Sequence, residues 1–150
     1  MRIFIFLMLV FTVCNAQKVE ITADSFEADE KKHISTLVGN VTILKGADLI
    51  KADNLVVRFD EKNKPIEYIA NGNISFNIVT QNQEFDGSAQ KLLYNPKTLK
   101  YEISGNAIIN EKTQHQKLMG EKIIIDRISG KSKIIGAKNR PVKFIFDVKE

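Results

Sequence analysis

Three Gly-Asn pairs at equal spacing constrain this chain more than any other feature. They are Gly39-Asn40, Gly72-Asn73 and Gly105-Asn106, set 33 residues apart, and a fourth glycine, Gly136, follows 31 residues later. Upstream of each glycine stands a small residue, then a polar pair, then a large apolar residue. The four copies are Ala23-Asp24-Ser25-Phe26, Ala52-Asp53-Asn54-Leu55, Ala89-Gln90-Lys91-Leu92 and Gly120-Glu121-Lys122-Ile123. The small residue precedes its glycine by 16, 20, 16 and 16 positions. A period of this length marks a structural unit stacked on copies of itself. The chain therefore reads as about four repeats, with four extra residues of the second copy around the Asp60–Pro65 turn.

Within each unit apolar residues recur at every second position. Val19 and Ile21, Val41 and Ile43, Ile74 with Phe76 and Ile78, Tyr101 and Ile103, and Val142 with Phe144, Phe146 and Val148 all follow this rule. A period of two is that of strands with one buried face. Turn-forming residues separate the runs at Asn95-Pro96-Lys97, Ser129-Gly130-Lys131 and Arg140-Pro141. No segment after the N-terminal stretch has a helical period over ten residues. Three or four strands of five or six residues per unit predict 12–16 short antiparallel strands. The Gly-Asn pairs suit bulges or sharp corners, where glycine takes positive φ at little cost and asparagine tolerates it.

The first sixteen residues stand apart. A positive start at Met1-Arg2 precedes an apolar run from Ile3 to Val13, and Cys14-Asn15-Ala16 offers small residues at the −3 and −1 positions of a cut after Ala16. These are the three parts of a secretory signal peptide. Residues 1–16 are thus expected to be a signal peptide and residues 17–150 one domain. An uncleaved N-terminal anchor is the alternative. Lipidation at Cys14 fits less well, given Phe11 and Val13 before it. Cleavage after Ala16 removes the single cysteine, so neither a disulfide nor a thiol nucleophile is expected. The 43% apolar and 27% charged residues place the chain with globular rather than disordered proteins. Its +4 charge comes from lysines interleaved with acids, as in Asp29-Glu30-Lys31-Lys32, which suits a solvated surface. With no basic face carrying aromatics, nucleic acid is not an expected partner.

Residues able to do chemistry are sparse. His33 and His115 lie in polar stretches without a second ligand at metal-like spacing. Asp24, Glu27 and Asp29 form the densest acidic group, but the positions of Glu27 and Asp29 hold Leu93 and Asn95, or Ile124 and Asp126, in other copies. Only the terminal Asp or Asn recurs, which suits a turn. No nucleophile elbow, phosphate loop or calcium loop is present. Neither an enzyme nor a metal or cofactor protein is expected.

The order of these elements resembles the organic-solvent-tolerance A family of exported lipopolysaccharide transport proteins, of which LptA is the periplasmic type. The resemblance rests on Ile21–Asp29, Gly39–Ile43, Ile50–Asp60, Gly72–Phe76, Gly105–Asn106 and Gly120–Asp126. It implies an all-β, twisted antiparallel β-jellyroll, open at both ends, in the periplasm. It further implies head-to-tail stacking by edge strands, with self-association and with inner-membrane LptC-like and outer-membrane LptD-like partners. Lipid A acyl chains of lipopolysaccharide would travel in the interior, with no catalytic residue involved. The candidate pairing edges are Lys18–Thr22 and Val142–Val148.

By that resemblance the residues facing lipid are Val19, Ile21 and Phe76. Alternation alone adds Val41, Ile43, Ile74, Phe144 and Phe146. Each is open to a second reading as filled core, since small jellyrolls are filled by their own side chains. Three other functions remain in view. A membrane-anchored LptC-like partner would retain its N-terminal segment. A polysaccharide-binding or assembly module would show surface aromatics, and the chain has three tyrosines and no tryptophan. A solenoid enzyme would need acids recurring on one face.

Overall fold

The computed structural model describes residues 18–79 and 82–148, so the signal-peptide expectation lies outside the described residues. These residues form ten strands: β1 (Val19–Thr22), β2 (Ser25–Asp29), β3 (Ile34–Lys45), β4 (Asp48–Phe59), β5 (Pro65–Val79), β6 (Glu84–Asn95), β7 (Lys100–Glu111), β8 (Gln116–Asp126), β9 (Ser132–Ile135) and β10 (Lys143–Ile145). None of the described residues lies in a helix, so none crosses a membrane as one. All neighbours are antiparallel in one sheet of order β1-β3-β4-β5-β6-β7-β8-β10, with β2 also on β3 and β9 also on β8.

Ten strands replace the 12–16 short ones expected from the sequence, for a definite reason. The Gly-Asn pair does not end a strand; it bends one. Between Val38↔Asn54 and Val41↔Ala52, β3 has two residues, Gly39 and Asn40, against one on β4. The same two-against-one bulge recurs on β5 at Gly72-Asn73 and on β7 at Gly105-Asn106. At each, both residues take positive φ: 85° and 48°, 83° and 47°, 83° and 53°. Two successive left-handed residues turn the strand sharply while the ladder resumes beyond them.

Side chains from the start of the same copy hold the bends. Asp24 accepts a hydrogen bond from Asn40 Nδ2 at 3.0 Å, and Asp53 one from Asn73 Nδ2 at 2.9 Å. The Asp24 N–H donates to the Gly39 carbonyl. A Cβ on Gly39 or Gly72 would come within 2.5 Å of the same aspartate's Oδ2. At the third bend Gln90 packs on Gly105, and Asn106 is held by the Arg140 guanidinium. The fourth copy departs from the pattern. Gly136 is not left-handed, and Ala137 and Arg140 close a tight turn by mutual backbone hydrogen bonds.

Gly72→Ala is therefore expected to cost about 1–3 kcal/mol, the usual range for strained backbone. Asp53→Ala removes the Oδ2 and Cγ contacts but keeps its own Cβ at 2.9 Å, so the double variant should lose somewhat less than the sum of the singles. Urea unfolding of the four proteins measures the cycle.

The line of bends folds the sheet into two leaves. Lys45 on β3 and Tyr94 on β6 are three strands apart, which in a flat sheet means at least ~14 Å. Lys45 Nζ nevertheless lies 6.0 Å from the Tyr94 ring centroid. The leaves thus face each other and enclose one apolar core, built on Val41, Leu55, Ile74, Ile103 and Ile123.

Most turns at the leaf tips share one chemistry. Asp29, Asp60, Asn95, Glu111 and Asp126 each end or follow a strand and accept backbone N–H groups two to four residues ahead. This confirms that the recurring Asp or Asn belongs to a turn, and it places His33 and His115 in left-handed positions of such turns. The N–H of Lys64 holds the Asp60 carboxyl below its ordinary value of 3.8, and that of Ser129 does the same for Asp126, against the opposing effect of desolvation. A carboxyl lowered in the folded state stabilises the fold above its unfolded pKa and loses that contribution as pH falls through the folded value. Asn95 makes the same contacts without a charge. Asp60→Asn with Asp126→Asn should therefore flatten the acid limb of stability against pH below about 4. Thermal melts across that range measure it.

Candidate functional site

The inner face of the second leaf carries one row across eight strands. Register places Ile21, Ile43, Ile50, Phe76, Gly87, Ile109, Leu118 and Phe144 in direct succession. Each neighbour is a directly opposed pair, so all eight positions share one face. The first leaf has a matching row: Phe26, Leu37, Leu55, Ala70, Leu92, Ile103, Ile123 and Ile134. The two rows meet in the core.

The eight residues expected from the sequence fall into three groups. Val41, Ile74 and Phe76 are buried, at 1%, 1% and 5% exposure, and form filled core in this structure. Ile21 and Ile43 are half-buried and pack against that core. Val19, Phe144 and Phe146 are uncovered, at 40%, 51% and 54%. That departs from an enclosed position, and the cause is topological. Val19 shares the face of Ile21, and Phe144 opposes Leu118, but among the described residues no strand lies beyond either edge. The Phe146 ring lies against Phe144, centroids 4.9 Å apart. The edges are also more composite than expected: β1 and β2 share one, β9 and β10 the other.

Sequence reasoning missed Ile50, Gly87, Ile109 and Leu118. The repeat contained the means to find them. Ile43, Phe76 and Ile109 each stand four residues after their glycine, and Ile21, Ile50, Gly87 and Leu118 each stand two before their small residue.

Polarity changes toward the tip of the first leaf. The last inner row there runs Ser35, Val57, Tyr68, Tyr94, Tyr101, Ile125. Burial pushes the pKa of all three phenols up, so each keeps its hydroxyl proton near neutral pH. Among the described residues no group of three or more His, Cys, Asp or Glu is placed to hold a metal ion.

An open antiparallel β-jellyroll, creased along glycine bends and apolar on its inner face from one unpaired edge to the other, is the class these features define. The family model described as LptA/(LptD N-terminal domain) LPS transport protein matches residues 20–131. The chain belongs to that family of lipopolysaccharide transport proteins. Its fold is also that of LptH, the LptA-homologous periplasmic component of the lipopolysaccharide transport device of Pseudomonas aeruginosa. The crystal structure of LptH superposes with a TM-score of 0.75 at 13% identity, over 88% of this chain and 96% of that one. No curated protein matches the sequence.

Proposed function

We propose that this protein is a periplasmic carrier of lipopolysaccharide, receiving lipid A acyl chains on its inner face and passing them along a head-to-tail bridge between the two membranes. One observation carries the reading: the apolar inner row runs unbroken from Ile21 to Phe144, and apolar side chains at both sheet edges, Val19 beside Ile21 and Phe144 itself, are uncovered. A second copy, or an LptC-like or LptD-like partner, paired on either edge would continue both the ladder and the apolar face. Such a contact is heterologous and does not close, so it propagates as a filament.

Widening the interior is mechanically feasible. The leaves share continuous strands along the crease, while the tips meet through side chains such as Lys45 and Tyr94. Separating them breaks side-chain contacts and leaves the ladder intact. Acyl chains then replace those contacts, at about 0.8 kcal/mol per buried CH₂.

The test places a photo-crosslinking residue at Phe76 and, separately, at Ser75, which lies exposed on the outer face. Irradiation in cells should give a lipopolysaccharide adduct at Phe76 and none at Ser75. Equal labelling at both positions, or none at Phe76 and Ile21 alike, would leave a filled β-module whose business is assembly.

A further inference from the structure

All three tyrosines of the chain stand in one cross-strand succession, Tyr68, Tyr94 and Tyr101. Tyr94 and Tyr101 stack at 4.4 Å, and Tyr68 lies 5.9 Å from Tyr94. The row next to them, toward the crease, is wholly aliphatic: Leu55, Ala70, Leu92, Ile103 and Ile123. Two cations close on the tyrosines. Lys45 comes from the facing leaf, with Nζ 6.0 Å from the Tyr94 centroid. Arg127 directly follows β8, two residues past Ile125, which pairs with Tyr101, and its backbone N–H is tied to the Leu99 carbonyl at 3.1 Å. Neither cation forms an ion pair with a carboxylate among the described residues. Asp48 is the acidic group facing Tyr101, and its Oδ1 is engaged by the Val79 N–H at 2.9 Å.

Aliphatic floor, then amphipathic rings, then unpaired cations is the order of environments across a water–hydrocarbon boundary. An amphiphile with its chains on the aliphatic row brings its polar group to the tyrosines. Two cations without a carboxylate ion pair outnumber the one acid there, Asp48, and the phenol hydroxyls can donate beside them, which favours an anion.

We propose that Lys45, Arg127 and the Tyr68–Tyr94–Tyr101 row form a headgroup site for a phosphate-bearing amphiphile whose acyl chains lie on the inner face. This rests on the carrier reading and adds to it where the head sits and what charge it bears.

The experiment titrates the purified mature chain with an acylated, bis-phosphorylated glucosamine disaccharide and with its dephosphorylated form. Lys45→Gln combined with Arg127→Gln should weaken the phosphorylated lipid about tenfold or more and leave the other within about twofold, as for lost charge-assisted hydrogen bonds. Tyr101→Phe, which keeps the ring, should move in the same direction by less. Lys51→Gln, on the outer face, should change neither lipid. Equal losses for both lipids would assign the cations a structural role, and no loss for either would remove the site while the carrier stands. Inorganic phosphate bound with the same dependence on Lys45 and Arg127 would make it a free-anion site instead. Failure of the unaltered protein to bind either lipid would defeat the carrier reading and this site with it.

Discussion

Gly87→Ala should be among the most damaging single substitutions in this protein, and Gly87→Val should leave no cooperatively folded species. Gly87 sits in the middle of the inner row, opposite Phe76 on one side and Ile109 on the other. A Cβ there would lie 2.1 Å from the Ile108 carbonyl oxygen and 2.5 Å from Phe76 Cζ. The ring could swing; the carbonyl belongs to β7 and cannot retreat without disturbing the ladder. Overpacking in cores usually costs 1–3 kcal/mol, and a backbone clash puts this site at about 3 kcal/mol or more, against a total of roughly 5–15. Gly87→Ala with Phe76→Leu should recover only the part due to the ring. Urea midpoints of the three variants read this directly, and a neutral Gly87→Ala would mean that the β5–β6–β7 register is wrong.

That pair also shows how far the sequence could be read. The repeat puts Ile43, Phe76 and Ile109 in one slot and Ile50, Gly87 and Leu118 in the facing one. The copy with the largest residue in the first slot has the smallest in the second, so Gly87 exists to seat Phe76. Period-two patterning and the 33-residue spacing gave the fold class and the buried slots Val41 and Ile74 without coordinates. They did not give register, because alternation names the residues on a face but not the residue each one meets.

The bends were legible only in part. Two adjacent residues with positive φ at a Gly-Asn pair are a local preference, and that much follows from the residue types. Whether such a pair ends a strand or creases it depends on the neighbour across the ladder, here Asp24 and Asp53, 16 and 20 residues away. Those offsets equal the spacing from small residue to glycine, so the repeat carried the partner while the acidic cluster around Asp24 pointed elsewhere. The tyrosine row had no signal of its own. Tyr68, Tyr94 and Tyr101 come from three strands, and their approach to Lys45 exists only once the sheet is folded.

On the proposed head-to-tail reading, Phe144→Asp combined with Phe146→Asp should leave the protomer folded and abolish end-to-end association. Both rings are about half exposed, and β10 is a three-residue strand held on β8 alone. Exposed substitutions of this kind usually change stability by about 0.5 kcal/mol or less. Phe144 ends the inner row against the half-buried Leu118, and the fully buried residues of that row begin at Ile109, two strands in, so the unfolding midpoint should move little. The edge itself changes character. An apolar face there invites a second sheet, whereas inward-pointing charge on an edge strand is the device by which natural sheets refuse one. On the carrier reading the same two charges also break the apolar track where lipid passes from one protomer to the next, so transport should fail even with the protein abundant. Sedimentation at rising concentration and complementation in cells give the two readouts. Association and transport both unchanged would place the lipid path away from this edge. Loss of both with an intact melt would identify the β9–β10 side as the joint of the bridge.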